Sequence, residues 1–98
     1  MSENEEYFTE VISQLSATEV RILSFLYNND AVDALTPIKT ANIREQLKLA
    51  KSSFNQTISR LILTSLVKSV NNSRNFSIYL TPYGCSALHI ITEGKMTL

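Results

Sequence analysis

Residues 51–60 read KSSFNQTISR, and the two apolar residues in this run, Phe54 and Ile58, stand four apart with Leu61 three further on. That spacing predicts a helix with one buried face. The remaining positions are unusual for a helix. Ser52, Ser53, Asn55, Thr57 and Ser59 are indifferent helix formers whose short side chains compete for backbone hydrogen bonds. On a helical wheel Phe54, Ile58, Leu61 and Ile62 face one way and Ser52, Gln56, Ser59 and Arg60 the other, with Lys51 and Ser53 at the edges. An ordinary solvated face would carry Glu, Lys, Gln or Ala instead. Short uncharged hydrogen-bonding groups suit a surface that must approach a polar ligand closely.

The flanks place this helix, read as 51–65, in a pattern. Before it, Thr40 suits an N-cap for a short helix 41–47 with Ile43 and Leu47 on its apolar face, and Lys48-Leu49-Ala50 makes a brief turn. After it the period becomes two: Phe76, Ile78 and Leu80 alternate with Ser77 and Tyr79, which predicts a half-buried strand. Residues 66–70 are its expected antiparallel partner across the polar loop Asn71-Asn72-Ser73-Arg74-Asn75. Thr81-Pro82 starts a last helix, 82–93, with Tyr83, Ala87, Leu88, Ile90 and Ile91 on one side.

Upstream, Tyr7, Phe8, Val11, Ile12 and Leu15 predict a helix over 4–15, and Ser16-Ala-Thr-Glu19 reads as a capping box opening a central core helix over 17–28. That helix is expected to expose little beyond Glu19, Arg21 and Ser24. Between 29 and 39, Asp30 suits the cap of one turn through Leu35, and Thr36-Pro37-Ile38 a short edge strand.

Composition narrows the class. The 98 residues, 44% hydrophobic with two Gly and two Pro, fit one folded domain over 1–98 rather than a disordered chain. One cysteine leaves no intramolecular disulfide and points to a reducing compartment. The acidic N-terminus lacks the pattern of a signal peptide, and no apolar run approaches the ~20 residues that span a bilayer, so a cytoplasmic, nucleoid-associated location is expected. The net charge of zero conceals a polarity: residues 1–33 hold seven acids and one base, and residues 39–74 seven bases and one acid. Such separation can give a neutral protein a local field for a polyanion, unless folding mixes the halves again.

A short helix, a tight turn, a second helix and a two-stranded hairpin make a winged helix-turn-helix, a mainly α (α+β) architecture. The segment TANIREQLKLAKSSFNQTISRLILTSLV resembles the helix-turn-helix of MarR-like regulators. NNSRNFSIYLTPYG resembles their wing and its junction with the last helix, matched by Leu80, Thr81 and Gly84. The likeness spans residues 16–92, with the helix-turn-helix at 40–65 and the wing at 66–80. One position departs from it: Ser65 stands where the family usually has Gly between the recognition helix and the first wing strand.

The resemblance implies a sequence-specific double-stranded DNA-binding protein, a homodimeric transcriptional repressor without a cofactor. Gln56 and Arg60 are then the expected base readers, since each can make a bidentate contact at a base edge. Ser52, Ser53, Asn55 and Ser59 share that face, and Lys51 with the helix N-terminal amides would meet phosphates. Arg74 at the wing tip suits a minor groove or a flanking phosphate, and Lys39, Thr40, Asn42 and Lys48 are further phosphate candidates. The competing reading of each is a merely solvated side chain. Dimerisation is expected of the terminal helices through Tyr7, Phe8, Val11, Ile12, Leu88 and Ile91, although core packing competes for the same residues.

Three features stand apart. Leu63 lies on the polar side of the helix, and either packs beneath the wing or touches another subunit. The second possibility matches the DNA-binding adaptors of tubulin-like plasmid segregation systems, small winged-helix proteins of this length that use the recognition-helix region in dimer contacts. Cys85, His89 and Glu93 form an i, i+4, i+8 ladder, but one Cys and one His per chain cannot close a four-ligand zinc site alone, so no metal is assigned. No phosphate-binding glycine loop, activated nucleophile or paired carboxylate points to an enzyme. A winged-helix protein-interaction module without DNA binding is the remaining alternative, and no small-molecule effector is assigned.

Overall fold

The computed structural model describes residues 10–72 and 75–92, the side chains of 71, 72 and 75 excepted. Among them the chain runs through a helical turn α1 (10–13), α2 (Ala17–Asn28), β1 (Ile38–Lys39), α3 (Thr40–Leu47), α4 (Lys51–Leu63), β2 (Val67–Asn72), β3 (Asn75–Leu80) and α5 (Pro82–Thr92). The strands form one antiparallel sheet in the order β1-β3-β2, with Ile38 opposite Ile78 and Val67 opposite Leu80. This is the helix-turn-helix with a small wing that the sequence predicts.

The central helix forms where its caps allow. Ser16 Oγ accepts the Glu19 N–H at 3.2 Å while the Glu19 carboxylate accepts the Ser16 N–H at 2.8 Å, a complete capping box. The extended backbone at Ser16 stops α1 at residue 13, two residues before its predicted end. The predicted start of that helix, with Tyr7 and Phe8, lies outside the described residues. Ile22, Leu23 and Leu26 of α2 are fully buried, and the helix packs on α3, α4, α5 and β3. Its exposure differs from expectation in two places. Glu19 is only 2% exposed because its carboxylate turns back to the cap, whereas Tyr27 is open to solvent.

Three helices end in the same way, and none of them uses glycine. Asp30, Lys48 and Ser65 take φ values of 58, 56 and 65° after α2, α3 and α4. Each left-handed residue lets the next N–H reach back five residues: Ala31 to the Leu26 carbonyl at 2.9 Å, Leu49 to Arg44 at 3.0 Å, and Leu66 to Leu61 at 3.1 Å. Ser65 therefore makes the turn for which the resemblance expects glycine, and α4 closes at Leu63 rather than running to 65. Burial of Leu61 and Leu66 on either side of the turn offsets the steric cost of a side chain there.

The segment 29–39 folds differently from its reading. No helical turn follows Asp30. Instead Asp33 Oδ1 accepts the Leu35 N–H at 2.9 Å in a local turn, and the edge strand is Ile38–Lys39 rather than 36–38. Buried Ala31 accepts the Leu80 N–H at 2.7 Å, which ties this segment to β3. Thr40 does not cap α3: Lys39 is the N-cap residue, and the Thr40 hydroxyl donates to the Phe76 carbonyl at 3.2 Å. The hairpin also pairs further than predicted, through Asn71 opposite Phe76 and Asn72 opposite Asn75.

The junction of wing and last helix is tightly packed. The Thr81 hydroxyl donates to the Ser65 carbonyl at 2.7 Å, with the Leu66 carbonyl at 3.1 Å, and accepts the Gly84 N–H at 2.9 Å. It thus caps α5 and joins that helix to the end of α4. Gly84 has no room for a side chain: a Cβ there would fall on the Leu66 carbonyl oxygen and within 2.7 Å of Leu80 Cδ1. The resemblance at Leu80, Thr81 and Gly84 therefore rests on one packing constraint.

Candidate nucleic-acid interface

Helix α4 buries Phe54, Ile58 and Leu61 against the core and leaves Lys51, Ser52, Ser53, Asn55, Gln56, Ser59 and Arg60 exposed, so the division read from the sequence is realised. The exposed groups are not equivalent. The Ser53 hydroxyl donates to the Ala50 carbonyl at 3.3 Å and the Thr57 hydroxyl to the Ser53 carbonyl at 2.9 Å, each staying within the helix. The side chains of Ser52, Asn55, Gln56 and Ser59 make no hydrogen bond to any described residue. Among those residues their donors and acceptors are unspent.

The N-termini of α3 and α4 share a further property. Ala50 before α4 and Lys39 before α3 supply no side-chain acceptor, and neither helix carries an acid in its first turn. Among the described residues their first N–H groups have no side-chain partner, with the exposed Lys39, Lys48 and Lys51 beside them in the chain and the exposed Asn42 in the first turn of α3. Orphan helix amides next to lysines favour an anion. Thr40 is less available, because its one hydroxyl proton is already directed at Phe76. Arg74 lies outside the described residues.

Arg60 sits apart from the row it was expected to join. Its Nε lies 3.5 Å from Glu19 Oε2, and its Nη2 donates to the Gln14 carbonyl at 3.4 Å. The side chain is bent toward the α1–α2 junction, which competes with a bidentate contact to a base.

Two further residues belong to this surface: Phe76, which was not found from the sequence, and Leu63, whose two readings the structure separates. Phe76 was read as part of the buried alternation with Ile78 and Leu80, yet it is 38% exposed. It lies one residue beyond the Lys39–Ser77 pair, where β1 no longer covers β3. Its ring lines a hollow of about 160 Å³ floored by Phe54, Ile58 and Ile62 and rimmed by Thr40, Asn55 and Ser59. Leu63 is 81% exposed, so it does not pack beneath the wing.

The residues expected at a dimer contact are largely enclosed within one chain. Val11, Ile12 and Leu88 are buried within the chain's own hydrophobic core, which leaves them little surface for a partner, and Ile91 is half-buried. Cys85 and His89 border a groove of about 320 Å³ between α2 and α5, with Ser24, Tyr27 and Asn28 opposite. Burial pushes the Cys85 thiol above its ordinary pKa, which disfavours the thiolate that a metal would need. Glu93 lies outside the described residues, and among those described no three His, Cys, Asp or Glu side chains gather as a metal site. No described helix is long and apolar enough to cross a membrane.

With this geometry in hand, comparisons define the class. The oxidised form of MarR from E. coli shares the fold at a TM-score of 0.67 and 16% identity, over 93% of this chain and 62% of that one. The fold is a winged helix-turn-helix. The structure of TubR from Bacillus megaterium pBM400 is closer, with a TM-score of 0.85 and 29% identity over 89% of this chain and 97% of that one. The DNA-binding protein TubR of Priestia megaterium is 30% identical over 83 residues, which make up 85% of this chain and 82% of that protein. The chain belongs to the TubR family. No protein-family model matches it.

Proposed function

We propose that this chain binds double-stranded DNA sequence-specifically as a homodimer and acts as a transcriptional regulator of the repressor kind. The observation that carries the reading is the exposed face of α4. There an exposed row of unspent Ser52, Asn55, Gln56 and Ser59 side chains stands over a buried Phe54–Ile58–Leu61 face, beside uncapped amides and lysines. Recognition helices meet base edges with their N-terminal residues. Gln56 is the foremost base reader, since its amide can pair both groups of an adenine edge. Lys39, Lys48, Lys51 and Asn42 with the amides of α3 and α4 hold phosphates, which set register without reading sequence. Arg74 extends the contact to a minor groove or flanking phosphate. The relatives support this reading, since the similar proteins include DNA-binding TubR and a MarR structure in complex with operator DNA.

A second reading is a centromere-binding adaptor of a plasmid segregation system. The 81% exposure of Leu63 on α4 favours it, because an apolar side chain on the DNA-facing helix suits contact between neighbouring protomers. Selection of bound duplexes from a random pool tests both. A palindrome with half-sites about one helical turn apart supports a dimeric repressor, and cooperative binding to closely spaced direct repeats supports the adaptor. No enrichment at low salt overturns DNA recognition altogether and leaves the fold as a protein-interaction module.

A further inference from the structure

We infer that Arg60 is a positioning residue for the recognition helix, held by Glu19, and that it does not read a base. The inference rests on the DNA-binding reading above and deepens it.

Glu19 is the side chain that makes this pairing exclusive. It is buried, and its two oxygens are divided: Oε1 accepts the Ser16 N–H at 2.8 Å and Oε2 faces Arg60 Nε at 3.5 Å. Among the described residues Arg60 is the one cation within ion-pair distance of it. A carboxylate shielded from water needs its compensating charge far more than a half-exposed guanidinium needs a carboxylate. If Arg60 turned out to a base, Glu19 would keep a single hydrogen bond in a dry site. The second Arg60 contact, to the Gln14 carbonyl at 3.4 Å, adds a backbone group at the end of α1. One guanidinium therefore joins α4 to both sides of the α1–α2 junction, and the planar fork of Arg holds direction as well as distance.

Position along α4 supports the same assignment. Arg60 belongs to the last turn of the helix, near its carbonyl end, where a cation is favourable to the helix dipole. The unspent groups lie before it, from Ser52 to Ser59. A tether at the C-terminal end that resists rolling of α4 fixes where Gln56 points, one turn away. Small errors in that direction remove a bidentate base contact while leaving phosphate contacts intact.

The test compares Arg60→Ala, Arg60→Lys, Glu19→Gln and the double variant Glu19→Gln/Arg60→Ala. Glu19→Gln keeps the oxygen that serves the capping box and removes only the charge. Each is measured well below its unfolding midpoint for the selected base sequence, for affinity to the selected and a scrambled duplex, and for amide exchange of α4 without DNA. The expected result is that Arg60→Ala and Glu19→Gln each lower the selected-to-scrambled ratio about tenfold, a ~1.4 kcal/mol effect, and both weaken preference at the same base pair that Gln56→Ala relaxes. The double variant should be no worse than Arg60→Ala, Arg60→Lys should recover part of the loss, and protection along α4 should fall in both single variants.

Loss of preference at one base pair in Arg60→Ala, with Glu19→Gln like wild type, would show base reading and overturn the inference. A lowered unfolding midpoint with the ratio and α4 exchange unchanged would overturn it too, as a purely structural pair. If the wild-type chain selects no duplex, the DNA reading fails separately, and α4 exchange alone then decides the tether.

Discussion

Helices α2 and α5 spend side chains on their own N-termini, whereas α3 and α4 do not. Ser16 and Glu19 cap α2, and Thr81 caps α5. Lys39 and Ala50 leave α3 and α4 without a side-chain acceptor. A missing cap costs about 1 kcal/mol per helix, and the two helices that bear this cost are those of the helix-turn-helix. The difference separates elements that hold the fold from elements that present amides to an anion. It recurs within α4 itself. Toward the C-terminal end the Arg60 guanidinium is engaged and the Thr64 hydroxyl donates back to the Arg60 carbonyl, while Ser52, Asn55, Gln56 and Ser59 are left unspent.

The comparison breaks first at the packed junction of β3 and α5. Gly84→Ala is expected to lose about 3 kcal/mol of stability, because the added methyl meets a backbone carbonyl that cannot yield as a flexible side chain would. Chemical denaturation measures it, and a loss below half that value would mean that α5 shifts freely against the end of α4. Thr81→Val keeps the shape and removes the hydroxyl, leaving the Gly84 N–H without its acceptor, and should cost about 2 kcal/mol in the same assay.

On the open side of the comparison the expected effects fall on binding. Gln56→Ala should change unfolding free energy by less than ~0.5 kcal/mol, yet relax sequence preference at one base pair by ~1–3 kcal/mol. A full set of competed duplexes reads that out. Ala50→Asp sharpens the contrast most directly, since it supplies the cap that α4 lacks. It should stabilise the fold by about 1 kcal/mol and weaken every duplex, with a shallower dependence of affinity on salt. Stabilisation without weaker binding would mean that phosphate does not use those amides. Ser65→Gly should add about 0.5 kcal/mol, because glycine adopts the φ of 65° without a steric penalty. Its DNA affinity should match wild type.

Much of this molecule was legible in its residues. The capping box at Ser16–Glu19, the buried face of Phe54, Ile58 and Leu61, the turn before Lys51 and the Thr81–Gly84 junction are all local patterns, and each stands where it was read. The edge strand moved because its long-range pairing, Ile38 facing Ile78, sets its limits. The end of α4 and the hairpin loop moved for local reasons: Ser65 takes the left-handed turn, and the strands pair on to Asn72 and Asn75.

By itself the sequence determined where helices start, which face each buries, and that a row of short polar groups would stand in the open. Periodicity and capping act over three or four residues, so that information is present in any short window of the chain. Only the tertiary structure decided that Arg60 turns to Glu19 and to Gln14, 46 positions earlier. It likewise decided that Phe76 and Leu63 stay exposed while Val11, Ile12 and Leu88 are enclosed. An arginine on a helix wheel has the same prospects toward a phosphate, a base or a buried carboxylate. What chooses among them is which groups packing brings within reach, and which of those have lost their water.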